Sequence, residues 1–192
     1  MNLLINQKQG IRWLIGILLA STIILLGFLV ININSNESPN SPQPVDTRIS
    51  IAESYNTIEE LKGSAELIVE AEVKSTKAVS AQGVPFTLSK ALVVKSYKGD
   101  IQKGEYINIL ETGGAIDGQE YLIDENKVFQ PGDKTIVFLD KYEGPVTDDA
   151  FVILGVYQGK FLLKDDGSLI PSRNVPKALE EISHINDLKL EN

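Results

Sequence analysis

The chain has 192 residues, with 18 Lys and Arg against 26 Asp and Glu, one His and no Cys, for a formal charge of −8 at pH 7. That length holds one domain with appendages, and the missing Cys excludes a disulfide scaffold, thiolate-held zinc, thiol catalysis and a lipid-modified N-terminal Cys. One His leaves no His-based metal set or Ser–His nucleophile system, and the acidic balance argues against nucleic acid as a partner, which needs a basic face against its phosphates.

The first element is an uncharged run, WLIGILLASTIILLGFLVI, from Trp13 to Ile31. A helix crossing a ~30 Å hydrocarbon core needs roughly 20 such residues, and the run lacks the polar stripe of a core helix. Lys8 and Arg12 precede it and the first acid, Glu37, follows it. The positive-inside rule therefore predicts residues 1–12 in the cytoplasm, a single-pass signal anchor over 13–33 and the remainder outside. A cleaved signal peptide has a shorter apolar core, about 7–15 residues, and a small-x-small site; here Asn32-Ile33-Asn34-Ser35 follows instead. Gly16 and Ala20 form a small-xxx-small pair, a spacing common in membrane helices. Past the run the chain carries 16 Lys and Arg against 26 Asp and Glu, a net of −10.

Residues 34–47, NSNESPNSPQPVDT, read as a solvated tether: Pro39, Pro42 and Pro44 interrupt regular structure and Val45 is the only aliphatic. At ~3.1 Å per residue it spans on the order of 40 Å. Residues 48–192 are long enough for one core. Thr57-Ile58-Glu59-Glu60 is a capping box opening a short helix that Gly63 and Ser64 end. Leu67, Val69, Ala71 and Val73 then alternate with Ile68, Glu70, Glu72 and Lys74, the period of a half-buried strand. Phe86, Leu88, Leu92 and Val94 share one parity in the next strand. Further strands are expected at Tyr106–Leu110, Glu120–Ile123, Lys134–Leu139, Phe151–Tyr157, Lys160–Leu163 and Leu169–Ile170. Turns are expected at Gln130-Pro131-Gly132-Asp133, Gln158-Gly159 and Asp165-Asp166-Gly167. Pro176 opens a predicted helix through Asp187 with Leu179, Ile182 and Ile185 on one stripe.

Many short strands with helices only at the ends predict a mainly β fold: a small antiparallel OB-like barrel with short N- and C-terminal helices, preceded by one transmembrane helix. An immunoglobulin-like sandwich is the alternative. The runs from Leu67 and Phe86 are long enough to bend around a barrel, which favours the first.

The order of local features carries a resemblance. Ala65-Glu66-Leu67-Ile68-Val69-Glu70-Ala71-Glu72-Val73 follows a short helix, and Lys95-Ser96-Tyr97-Lys98-Gly99-Asp100 ends the long second strand. Gly113-Gly114, the Pro131-Gly132-Asp133-Lys134-Thr135-Ile136-Val137-Phe138-Leu139 run and Gly155-Val156-Tyr157-Gln158-Gly159-Lys160-Phe161 come after it. Across Ile58 to Phe161 the chain resembles a group of poorly characterised extracytoplasmic proteins of Gram-positive bacteria. More distantly, it is similar to the netrin-like module of the tissue inhibitors of metalloproteinases. The resemblance implies an OB-fold barrel displaying loops. Those inhibitors chelate zinc through a free N-terminal Cys and brace the barrel with disulfides; a chain without Cys takes over neither, so no functional residue transfers.

Candidate chemistry is sparse, and no catalytic, cofactor-binding or metal-ligating set is expected. His184 has no metal-ligand partner at helical spacing and reads as a solvent-facing or capping residue. Asp117, Asp124 and Glu125, then Asp148-Asp149, then Asp165-Asp166-Gly167 are acidic loops without EF-hand spacing. Thr112-Gly113-Gly114-Ala115 lacks the Lys of a phosphate-binding loop and reads as a strand-end loop. Ser89-Lys90 reads as the exposed face of a strand. An enzyme acting through carboxylates needs Glu111, Asp117, Asp124 and Asp149 to converge. Tyr97, Tyr106, Tyr121, Phe129, Tyr142 and Tyr157 either pack the barrel and its rim or form a ligand platform on its face. The expectation is a non-enzymatic, membrane-anchored binding or adaptor module of the cell envelope. Its expected partners are the membrane and another envelope protein, peptide or glycan. The alternatives are an envelope hydrolase using acidic residues and a protease-inhibitor-like regulator.

Overall fold

The structure is a computed structural model that describes residues 42–49 and 53–191. The expected anchor over 13–33 and the start of the tether lie outside the described residues; among these, no helix is long and apolar enough to cross a membrane. The described chain is mainly β. Its elements are β1 (Val45–Thr47), α1 (Ile58–Ser64), β2 (Leu67–Ala81), β3 (Val84–Lys98), β4 (Tyr106–Thr112), β5 (Gly114–Ile116), β6 (Gln119–Ile123), β7 (Lys134–Lys141), β8 (Phe151–Ile153), β9 (Lys160–Leu163), β10 (Leu169–Pro171) and α2 (Lys177–Glu180), followed by a 3₁₀ turn at Ile185–Leu188.

Five strands close a ring in the order β7-β2-β3-β4-β8 and back to β7. All its pairs are antiparallel except β4–β8. The ring interior holds Val69, Ala71, Val73, Ala91, Val93, Ile107, Ile109, Phe129, Val137 and Leu139. A second core lies on the outer face of β2 and β7, where Ile68, Ile136 and Phe138 pack with Leu61 of α1, Leu179 of α2 and Leu188. Strand β7 is therefore buried on both faces. This explains its unbroken run Thr135-Ile136-Val137-Phe138-Leu139, which has no polar alternation. Phe138 meets Phe161 edge to face, ring centroids 5.9 Å apart.

One flank of β7 is shared. Its C-terminal half pairs with β8 and its N-terminal half with β9. The chain between those strands, Leu154–Gly159, loops out opposite the single residue Phe138, whose N–H donates to the Gly159 carbonyl (2.9 Å) and whose carbonyl accepts from the Leu154 N–H (3.1 Å). The expected strand Phe151–Tyr157 thus stops at Ile153. Gly155 and Val156 take positive φ, 59° and 65°, which no strand tolerates.

Other expectations change for similar local reasons. Val45–Thr47, read as the end of the tether, forms β1 by pairing parallel to β6. Gly114–Ile116, read as loop, forms β5 and joins β6 through Asp117-Gly118, both at positive φ, the two-residue hairpin turn favoured by strand twist. In β3 the buried parity is Thr87, Ser89, Ala91 and Val93, while Phe86, Leu88, Leu92 and Val94 face outward and are half-buried. Phe129, Ile107 and Ile109 share the interior, and small side chains on β3 leave room for them. Ser89 accordingly lies inside, not on the exposed face with Lys90. The predicted C-terminal helix buries Leu179 and Ile182 as expected but breaks after Glu180. The chain extends at Ser183, whose carbonyl accepts from Leu169, and restarts behind a His184 cap. At α1, Thr57 Oγ1 accepts from the Glu60 N–H (3.2 Å), and Glu60 reaches one residue beyond the cap, to the Asn56 N–H (2.6 Å).

Ser89 Oγ is buried with no hydrogen-bond partner. Ser89→Ala deletes that unpaired hydroxyl at nearly constant volume. It should raise stability by about 1–2 kcal/mol, read as a higher urea midpoint at unchanged slope on the full chain in mild detergent. A lower midpoint would mean that the hydroxyl is paired.

Candidate functional site

The looped-out segment delivers Lys160 to the ring interior, because Lys160 stands opposite Val137, an inward residue. Glu111 arrives on the inward parity of β4, two residues beyond Ile109. Their side chains meet at 2.8 Å and are 8% and 5% exposed. The remaining valences are filled. Glu111 accepts from the Phe129 N–H (2.8 Å), Lys160 donates to the Lys127 carbonyl (2.7 Å), and the ammonium lies 4.7 Å from the centre of the Phe129 ring. An ion pair so thoroughly hydrogen-bonded can survive desolvation. It ties the 127–129 segment to β4 and β9.

Next to it is a strained turn. Asp124 and Glu125 take φ of 47° and 65°, and Val156 and Asn174 also lie at positive φ. Asp and Asn tolerate this conformation, but a β-branched Val does so rarely. The turn is held from several sides. Asn126 and Asn174 donate to the Asp124 carbonyl (3.0 and 2.9 Å), and the Tyr157 hydroxyl donates to the Asp124 carboxylate (3.1 Å). The Glu125 N–H donates to Asp46 (2.8 Å), and the Asp124 N–H to the Thr47 carbonyl (3.1 Å). Asn126 accepts from the Arg173 N–H (2.7 Å), and Arg173 pairs with Glu125 (3.1 Å). Tyr157 is pushed up to about 12, first by burial and then by its Asp124 partner, since both disfavour a phenolate.

Between this turn and the β9–β10 edge runs an open groove of about 540 Å³. Leu122, Val128, Leu162 and Ile170 line it with apolar surface, and Arg173 and Gln130 line it with polar groups. Ile170 is 45% exposed there.

The carboxylates considered for catalysis do not share one setting. Glu111 is neutralised by Lys160 and Asp124 receives Tyr157. Asp117 sits exposed in the β5–β6 turn, and Asp148 and Asp149 are exposed in the loop before β8, where Asn108 holds the Asp149 carbonyl (2.9 Å). Asp165 pairs with Lys134 (2.6 Å), and Asp166 accepts from Ser168, which lowers its pKa. Among the described residues no group of three His, Cys, Asp or Glu is placed to hold a metal ion. His184 caps the 3₁₀ turn, its Nδ1 accepting from the Asn186 N–H (3.2 Å).

The aromatics serve separate tasks and form no common platform. Phe129 and Tyr157 are buried, Tyr97 packs against the outer core, and the Tyr142 hydroxyl accepts from the Val146 N–H. Tyr121 is half-buried on β6; Tyr106 is 53% exposed, beneath Lys90. Thr112–Ala115 is a strand-to-hairpin junction, with the Gly113 carbonyl accepting from Thr87 Oγ1 (3.0 Å). Lys160 and Asn126 carry the site and escape sequence reasoning. The one available signal was a lysine directly preceding the apolar run Phe161-Leu162-Leu163. No family model matches the chain, and no curated protein matches it significantly.

Glu111→Leu leaves the Lys160 ammonium buried and unpaired, so it should cost about 3–5 kcal/mol, whereas Glu111→Leu with Lys160→Met should recover most of that loss. Denaturant melts of the two variants check this, and a double variant no better than the single one would refute it. Tyr157 predicts a pH effect. Its folded pKa lies above the ordinary value near 10, so its contribution is intact below pH ~10 and is lost as pH rises toward about 12. Tyr157→Phe should remove that part of the alkaline stability loss, measured as the difference between the two melting-temperature profiles over this range.

Proposed function

We propose that the protein is a membrane-anchored, extracytoplasmic binding or adaptor module of the cell envelope, built on an OB-like barrel and acting without catalysis. The groove along β9–β10 carries this reading. It combines apolar wall residues with charged and polar ones, Glu125, Lys127, Gln130, Asp133 and Arg173, a mixture suited to an extended peptide segment. Its walls are fixed from behind by the Glu111–Lys160 pair and the Asp124–Glu125 turn, so it is organised before a ligand arrives. The five-strand ring supports the OB-like reading, as does its long first hairpin; barrels of this class bind through strand faces and loops. The apolar run from Trp13 to Ile31 with Lys8 and Arg12 before it supports the anchor and its orientation. Because fold alone does not fix function, the partner class rests on the groove: a protein or peptide of the envelope.

The chain has no Cys, so Ile170→Cys introduces a unique thiol in the groove. On intact cells, a membrane-impermeant maleimide carrying a photo-crosslinker should label it and then capture a discrete protein. The same probe on Lys141→Cys, an exposed position at the end of β7, should label without that capture. Labelling only after the cells are opened would overturn the orientation. Labelling with no difference in capture between the two positions would overturn the groove.

A further inference from the structure

A second surface lies on the long β2–β3 hairpin. β7 covers one flank of β2 only from Leu67 to Glu72, and Val73 closes onto Gly132 and Asp133 by two main-chain bonds of 2.8 Å. From Ser75 to Ala81, β2 pairs with β3 alone. The other flank of Ser75-Thr76-Lys77-Ala78-Val79-Ser80-Ala81 therefore presents strand N–H and carbonyl groups with no partner strand among the described residues. Each of these seven residues is at least partly exposed, and none is Pro, Gly or acidic.

The charge on this hairpin is opposite to that of the rest of the chain. Between Val73 and Gly99 lie Lys74, Lys77, Lys90, Lys95 and Lys98 and no acid. Lys74 pairs with Glu72 and Lys95 with Glu191, while Lys98 donates to the Lys62 and Gly63 carbonyls. Lys77, in the middle of the open edge, has no ion-pair partner among the described residues; nor has Lys90, whose ammonium lies 4.6 Å from the centre of the Tyr106 ring. Lys77 stands opposite Leu88, and Ser75 opposite Lys90. Both lysines therefore occupy one face of the ribbon, with Val79 and Phe86 next along it.

Edge strands invite another strand, and a lysine on the edge repels an edge of like charge. A second copy pairing here would bring its own Lys74 and Lys77 against the same row, which is unfavourable. An acidic strand meets the opposite condition: main-chain bonds along the edge, carboxylates at every second position on the face of Lys77 and Lys90, and apolar side chains between them on the other face, beside Thr76 and Ala78. We propose that the open edge of β2 receives an extended, acid-rich segment of a partner protein by strand addition. This surface is independent of the β9–β10 groove.

The test uses the full chain in mild detergent and a fluorescent peptide alternating Glu and Val. Binding is read by anisotropy and its location by amide hydrogen exchange. The peptide should bind, slow exchange across Ser75–Ala81 and weaken with added salt. Lys77→Glu should lower its affinity by about tenfold or more with an unchanged circular-dichroism spectrum. A Lys/Val peptide should not bind, and a Glu/Val peptide with alternate N-methyl amides should lose the exchange protection. Equal binding of the N-methylated peptide, or binding without protection at 75–81, would reduce the interaction to charge attraction and overturn strand addition. Concentration-dependent protection of 75–81 without peptide would give the edge to a second copy and overturn the acidic partner.

Discussion

The peptide groups of Phe138 hold two strands at once. Its N–H and carbonyl reach Gly159 and Leu154 on the same flank, so β8 and β9 behave as one ladder with a loop expelled from the middle. The C-terminal arm of that ladder closes the ring through β8. The N-terminal arm leads into β9 and β10, which leave the ring and form one wall of the groove. β7 can support all this because neither of its faces meets water. The interior holds Val137 and Leu139, and the outer core holds Ile136 and Phe138.

The expelled loop carries a local cost. Val156 sits in a conformation that β-branched residues avoid. The buried Gln158 offsets part of it, accepting from the Tyr55 N–H (2.8 Å) and donating to Ser54 Oγ (3.2 Å). What the loop achieves is the inward aim of Lys160. A buried ion pair contributes little net stability compared with an apolar pair, but it penalises every arrangement in which one partner is buried alone. Glu111 and Lys160 therefore disfavour arrangements of β4, β9 and the 127–129 segment that separate the pair.

Much of the barrel was legible. The alternation from Leu67 to Val73, the Thr57 cap and the turns at Gln130–Asp133 and Asp165–Gly167 are local signals, and local geometry obeys them. The parity of β3 was not legible, since its more apolar face is the outer one. The interior that β3 faces is filled by residues from elsewhere in the chain, Phe129 among them. The end of β8 and the break before His184 were hidden for the same reason: each exchanges a local helix or strand bond for one with a remote segment, Phe138 or Leu169. The site itself rests on Lys160, and nothing near Lys160 in sequence states that Glu111 will face it. The six aromatics were visible as a set, but their dispersal was not.

The short strand β1 has a mechanical consequence. Its three residues lie parallel to β6, and through Asp46 and Thr47 it is bonded directly to the Asp124–Glu125 turn. A load applied along the chain at residue 42 therefore acts in shear on this ladder, and the strained turn bordering the groove is the next structure in line. Tension at residue 42 and the shape of the groove are thus transmitted through the same few hydrogen bonds.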